Sequence, residues 1–185
     1  MLKHPTSIVF CLLLVAGFSS DLYAHDYSII IKISEQKLYL MNGNEVSKTY
    51  TVSTSRYGIG SRIKSRKTPL GLHRIAEKIG EGAPLGAIFD GKRRYTGETS
   101  IIYIDDTKLS ENYELTRIIR LEGMQPKINK GKGIDSSKRL IYIHGTAEEG
   151  LIGTPASIGC IRMKNSDVIE LFNLVNIGMI VEIKE

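Results

Sequence analysis

Short apolar runs in strict alternation dominate the first half of the chain. Residues 27–33, YSIIIKI, are dense in β-branched side chains and predict a strand. Ser34-Glu35-Gln36 makes a turn. Residues 37–41 alternate, with Leu38 and Leu40 on one face and Tyr39 and Met41 on the other, which is the period of a second strand. Asn42-Gly43 then predicts a hairpin with a type I′ turn, because both residues tolerate the positive φ it requires. Residues 45–53 return as a third strand, so the segment reads as a β-meander with little helical periodicity.

The pattern loosens after that. Residues 56–67 are polar, basic and glycine-bearing, and read as a loop closed by the turn Thr68-Pro69-Leu70-Gly71. Strands are predicted at 72–76, 99–104, 115–121, 140–143 and 158–163, with an irregular, glycine-rich connection over 80–91 and loops over 123–138 and 147–157. One helix stands out. Asn165-Ser166-Asp167 offers an N-cap, and Val168, Leu171, Phe172 and Val175 recur at i, i+3, i+4 and i+7, before Asn176–Gly178 ends the stripe and 179–183 closes as a strand. With roughly eight to ten strands, one helix and no internal repeat, the fold class is mainly β, a sandwich or barrel-like single domain.

The N-terminus follows another pattern. Lys3 and His4 precede the apolar run 8–18, and Leu22-Tyr23-Ala24 offers a small residue at a cut site. This is the layout of a signal peptide over residues 1–24, with a run too short to span a bilayer comfortably. An uncleaved anchor is the alternative. The reading divides the chain into a leader and one domain over 25–185, exported to the periplasm or cell envelope and without a stable membrane anchor after cleavage.

Charge changes the picture modestly. The formal net charge is +5, which suits a polyanionic envelope polymer. Nucleic acid is not indicated, because the basic clusters 62–67 and 92–94 lack interleaved aromatics and a recognisable reading helix. Both clusters read as solvated loop faces.

Cysteine usage is more telling. Of two cysteines, Cys11 lies in the leader, so only Cys160 is left and no intramolecular disulfide is available to it. A lone thiol is either a buried small hydrophobe or a working nucleophile. A thiol is mostly protonated near neutrality and needs an imidazole within hydrogen-bond reach to take its proton. His144, ending a predicted strand beside Gly145, is the candidate; a satisfied strand-end histidine is the alternative. The backbone N–H groups of Ile158, Gly159 and Cys160 could serve as an oxyanion hole.

At this point the residues become recognisable. His144-Gly145-Thr146, a loop, and Ser157-Ile158-Gly159-Cys160-Ile161-Arg162-Met163 together resemble the signature of the L,D-transpeptidase family, the YkuD-type catalytic domain of peptidoglycan enzymes. Ile33-Ser34-Glu35-Gln36-Lys37-Leu38-Tyr39-Leu40 is similar to the family's opening hairpin, Tyr50-Thr51-Val52-Ser53-Thr54 to its next strand, and Lys67-Thr68-Pro69-Leu70-Gly71 to its Thr-Pro-x-Gly turn. The resemblance covers nearly the whole chain after the leader. It implies that Cys160 is the nucleophile, that His144 is general base and then acid, and that the Gly145 carbonyl orients the imidazole. It implies an acyl-enzyme formed from a peptidoglycan stem peptide with loss of D-alanine. The acceptor is then the amine of another stem (a 3→3 cross-link), the lysine of an envelope lipoprotein, or water. No metal or other cofactor is needed.

Where many family members carry a second histidine, this chain has Ile158, which can contribute only its backbone N–H. Arg162 reads either as a contact to a substrate carboxylate or as half of a structural ion pair, and Ser157 either as a substrate contact or as a turn hydroxyl. His73 reads as a packing residue, and Tyr57 and Tyr95 as structural tyrosines with a lesser claim to a pocket. The alternatives to a transpeptidase are an L,D-carboxypeptidase or other hydrolase on the same site, and a non-catalytic envelope-binding module.

Overall fold

The computed structural model describes residues 27–90, 94–101 and 113–185. The leader, Cys11, the cleavage site, most of the 92–94 cluster and the far end of the strand expected over 99–104 lie outside these residues.

The strands are β1 (Tyr27–Lys32), β2 (Lys37–Asn42), β3 (Glu45–Ser53), β4 (Gly71–Ile79), β5 (Ala87–Phe89), β6 (Tyr95–Glu98), β7 (Leu115–Gly123), β8 (Tyr142–Gly145), β9 (Ile161–Met163) and β10 (Ile180–Lys184). The helix α1 (Asn165–Leu174) joins β9 to β10, and a short 3-10 turn occupies Glu149–Leu151. The strands form one sheet in the order β4-β10-β1-β2-β3-β9-β8-β7-β5-β6, and a further β4–β7 pairing closes it. The result is a barrel-like ring with β5 and β6 appended outside, which is the mainly β class expected. Closure gives each strand of the ring a neighbour on both sides along at least part of its length.

The ring is filled from one face of each strand. Ile29 and Ile31 of β1, Leu38 and Leu40 of β2, and Ile143 and Ile161 of β8 and β9 belong to one buried cluster. The stripe of α1 completes it: Val168, Leu171, Phe172 and Val175 are buried in the same cluster, and the helix lies against β7 and β8. His73, on β4, is fully buried with its ring between the Gly71 carbonyl and the Ser136 hydroxyl, both at 2.9 Å. It is the packing residue the sequence suggested.

Several local expectations shift. The first hairpin pairs Asn42 with Glu45, so Gly43-Asn44 forms the turn, and only Gly43 has positive φ (58°). That is the requirement of a type II′ rather than a type I′ turn. β4 runs three residues beyond the expected end at Ala76, because β7 pairs with it past a bulge between Ile75 and Glu77. Within the connection expected to be irregular, Ala87–Phe89 is a strand, and β6 ends at Glu98, so Thr99–Ile101 is not strand. The 140–143 strand begins only at Tyr142, since Leu140 is left-handed (φ 57°), and the 158–163 strand begins only at Ile161. Asn165 is not the helix cap. Lys164 holds that position without a side-chain cap, and Asn165 turns inward, fully buried.

Since Leu171 is wholly buried between α1 and the ring, Leu171→Ala should lower unfolding stability by about 2–5 kcal/mol. Urea titration followed by circular dichroism measures it.

Candidate active site

Strand β8 lies between β7 and β9, and its side chains alternate between the ring interior and the outer face. The parallel register pairs Ile143 with Ile161 and His144 with Arg162. Ile143 and Ile161 face the core. His144 and Arg162 therefore share the outer face, and Cys160, two residues before Arg162, begins on the same face. Diagonal neighbours of this kind have Cα atoms roughly 7–8 Å apart, within reach of side chains. The outer face is roofed by β5: Ala87, Phe89, Ile118 and Tyr142 form a second apolar cluster against which Cys160 packs.

His144 is completely buried. Its Nδ1 lies 2.7 Å from the Gly145 carbonyl oxygen. A carbonyl can only accept, so Nδ1 carries the proton and Nε2 is left as a bare lone pair. Nε2 is buried and has no hydrogen-bond partner among the described residues. Burial, followed by the Arg162 charge, pulls the imidazole down to about 3, against the weaker opposing effect of the Gly145 bond. The ring is thus neutral, in one tautomer, with an unpaired acceptor.

Gly145 is set by close packing. A Cβ there would collide with Asn165 Oδ1 and the Leu115 carbonyl. Asn165 anchors this corner: its Nδ2 donates to the Thr146 carbonyl and to Glu149 Oε1, both at 2.7 Å, and its Oδ1 accepts from Thr116 Oγ1 at 2.5 Å. The sequence presented Asn165 as a cap, and only the fold shows it as the support beneath the Gly145–Thr146 backbone.

Cys160 is half-buried and ends a loop that is held on both sides. Ser157 Oγ donates to the Cys160 carbonyl at 2.6 Å and accepts from Gly159 N–H at 3.2 Å. Thr68 Oγ1, fully buried, donates to the Gly159 carbonyl at 3.0 Å while accepting from Ser55 N–H. The backbone of Ser157 is also bonded to Thr54 and Arg56. Ser157 is thus a buried turn hydroxyl that shapes the loop. The Gly159 N–H, expected to face an oxyanion, is already spent on that hydroxyl. The Thr-Pro-Leu-Gly turn carried the sequence signal for Thr68, though not for its contact with Gly159.

The thiol donates to the Leu140 carbonyl, with Sγ 3.3 Å from that oxygen, and does not bond to His144. Burial pushes it up to about 12; the Tyr142 N–H opposes this, the Glu114 carboxylate adds to it, and Arg162 and Arg139 oppose it. Arg162 is almost fully buried and pairs with Glu148 at 2.6 Å, the structural ion pair that the sequence left open. Sulfur opens into a cleft of about 360 Å³ that Ile158 also lines, its side chain 37% exposed. Tyr57 and Tyr95 lie outside this cleft and are exposed. Glu114 and Arg139, which do line it, carried no sequence signal. Among the described residues, no group of three or more His, Cys, Asp or Glu could hold a metal ion, and no helix is long and apolar enough to cross a membrane.

The family model described as the L,D-transpeptidase catalytic domain, YkuD, matches residues 26–183. YkuD of Bacillus subtilis (strain 168), named as a candidate L,D-transpeptidase, is 27% identical over 159 residues, covering 85% of this chain and 66% of that protein. An L,D-transpeptidase from Mycobacterium smegmatis superposes with a TM-score of 0.52 at 13% identity, over 86% of this chain and 59% of that one. L,D-transpeptidase 3 from Mycobacterium tuberculosis, solved with a faropenem-derived adduct, gives a TM-score of 0.50 at 17% identity, over 86% and 60%. At these identities the structural likeness is one of fold. The chain spans 66% of the curated relative and about three-fifths of these solved chains.

A thiol held near 12 beside an imidazole held near 3 rests as a neutral pair. Alkylation of Cys160 by iodoacetamide should therefore rise about tenfold per pH unit from roughly pH 7 to 10, with no inflection near 6.5. Stopped-time mass spectrometry measures this, and a plateau by about pH 9 would contradict the neutral-pair assignment.

Proposed function

The chain belongs to the YkuD family of L,D-transpeptidase catalytic domains, and from that premise we propose that it is a cysteine acyltransferase acting on peptidoglycan stem peptides in the cell envelope. The observation that carries the reading is the lone pair of His144 Nε2. It is buried without a partner and shares a sheet face with the thiol. An orphaned buried acceptor costs about 1–3 kcal/mol, and a proton-accepting role accounts for its persistence.

The proposed cycle starts with rotation of the thiol from the Leu140 carbonyl toward Nε2. As sulfur adds to the stem carbonyl before D-alanine, its proton passes to Nε2. The Nδ1–H bond to Gly145 holds the ring and spreads the new charge. The tetrahedral oxyanion takes its donors from the Ile158 and Cys160 N–H groups, since that of Gly159 is engaged. The C–N bond breaks and His144 returns the proton to the departing amine, leaving a thioester. An acceptor amine then adds to the thioester, gives its proton to His144, and expels sulfur, which regains it. Transfer to another stem gives a 3→3 cross-link; a lipoprotein lysine or water fits the same site. Arg162 serves here through its ion pair with Glu148 and its field at His144, rather than as a substrate contact. The envelope location rests on the leader-like residues 1–24.

A carbapenem should form a mass adduct on Cys160, the acylation that the adduct-bearing relative suggests. Cys160→Ser should fold, lose that adduct, and lose turnover by ~10³-fold or more, because the imidazole ionises a hydroxyl far less readily. Sacculi incubated with the protein and digested to muropeptides discriminate the outcomes. New dimers indicate transfer, shortened stems indicate hydrolysis, and an unchanged profile with no adduct on a folded protein would leave only a binding module.

A further inference from the structure

Four cations that lie far apart in sequence share one cleft with the sulfur. Lys64 and Arg66 come from the loop after β3, and Lys138 and Arg139 from the segment before β8; all four line the same cleft as Cys160. The only carboxyl among its described lining residues is Glu114, and burial raises that group, weakening it as a counter-charge.

These charges are left uncompensated. Lys48, Arg74, Arg120, Lys130 and Arg162 each pair with a carboxylate. None of the four cleft cations has a carboxylate partner among the described residues. Arg139 donates to the carbonyls of Gly60 at 3.1 Å and Lys67 at 2.5 Å, which are neutral acceptors, and Arg66 reaches the Tyr57 hydroxyl at 3.4 Å. The Lys64 and Lys138 side chains are exposed.

Nor is this a loosely solvated loop. Lys64 (φ 62°), Arg66 (φ 60°) and Leu140 (φ 57°) are three of the six non-glycine residues with positive φ among the described residues, and all three line the cleft. Such conformations cost about 1–3 kcal/mol each and persist only where neighbours impose them. Those neighbours are Gly133 and Ser55: Ile63 N–H donates to the Gly133 carbonyl at 2.7 Å, and Ser55 Oγ donates to the Arg66 carbonyl at 2.5 Å. The fold thus holds two basic segments in fixed, strained positions at the nucleophile.

We propose that this cleft selects acyl donors whose cleaved residue carries a free carboxylate on its side chain and discriminates against the carboxamide form of the same donor. The inference rests on the transpeptidase reading for the identity of the donor, a stem whose cleaved residue is diaminopimelate. The cations line the cleft into which the sulfur opens, so the anion they would hold lies on the residue being cleaved. Carboxamide is nearly isosteric with carboxylate but offers no charge, and the difference between them measures the field alone. Apolar Ile63, Leu140 and Ile158 line the same cleft and lower the local dielectric around those charges.

Two measurements on the full chain test this. The first needs no turnover: alkylation rates of Cys160 by anionic iodoacetate and neutral iodoacetamide, set against a free cysteine derivative. The cleft should raise the iodoacetate-to-iodoacetamide ratio about tenfold above that of the free thiol. The bias should shrink on going from ~0.05 to ~0.5 M salt. It should also vanish in the double variant Lys64→Glu with Lys138→Glu, whose exposed side chains leave the melting temperature unchanged. A ratio equal to that of the free thiol overturns the proposal. The second compares kcat/KM for disaccharide tetrapeptides with carboxylate or carboxamide on diaminopimelate, with about a tenfold preference for the carboxylate expected. Equal use of both overturns the selectivity and leaves the transpeptidase reading standing. Turnover of neither, with the alkylation bias intact, overturns the transpeptidase reading and this donor assignment with it.

Discussion

One hydrogen bond determines what the site can do: that from His144 Nδ1 to its own neighbour's carbonyl, at Gly145. It fixes the tautomer, and so makes Nε2 the only atom of the ring able to take a proton. Because donor and acceptor sit on adjacent residues, no distant side chain has to be held for it. What must be held is the backbone of Gly145 and Thr146, and that task falls to the buried amide of Asn165 below them. An aspartate or glutamate in place of the carbonyl would stabilise the protonated ring more strongly. A neutral carbonyl, together with burial and the nearby Arg162 charge, keeps the imidazole unprotonated at rest.

The Cys160 loop is held by a matching device made of hydroxyls. Ser157 closes the turn from within, and Thr68 pins it from the far side of the barrel mouth. Both are wholly or almost wholly buried, so each bond is shielded from water. β8 and β9 are parallel neighbours, and their register sets the spacing between imidazole and sulfur. The same bonds have a chemical consequence: they occupy Gly159 N–H and so take it out of the proposed oxyanion donors.

The meander β1–β3, the α1 stripe, and the placing of Cys160 and His144 on one sheet face were legible in the sequence because each depends on near neighbours or on a distinctive motif. Period-2 alternation, an i, i+3, i+4, i+7 stripe and a glycine beside a nucleophile are local signals. β5 and β6 were not legible. Ala87–Phe89 is three residues long, and it is a strand only because β7 and β6 flank it. Asn165 looked like a cap because caps and buried amides use the same residue types. Lys64 and Arg66 read as part of a solvated loop face and Lys138 as the end of a separate loop, since nothing in their spacing indicates that residues more than seventy positions apart share a cleft. The Leu140 carbonyl, which receives the thiol, is a backbone group in a left-handed residue and leaves no trace in side-chain patterns.

The opposed forces on Cys160 bear on when the thiolate forms. Burial raises the thiol to about 12, and the Arg162 and Arg139 charges recover only part of that. An anionic donor entering the cleft would neutralise part of the remaining cationic field and so would not favour a free thiolate in advance. With His144 near 3 as well, a stable thiolate–imidazolium pair is unfavourable on both sides. In the proposed cycle, proton transfer therefore accompanies sulfur's attack on the carbonyl, where the new bond and the oxyanion donors offset its cost. The resting thiol is spared by the same balance. Oxidation follows thiolate character and exposure, so a half-buried thiol that ionises only against substrate is a poor target for oxidants even without a disulfide partner.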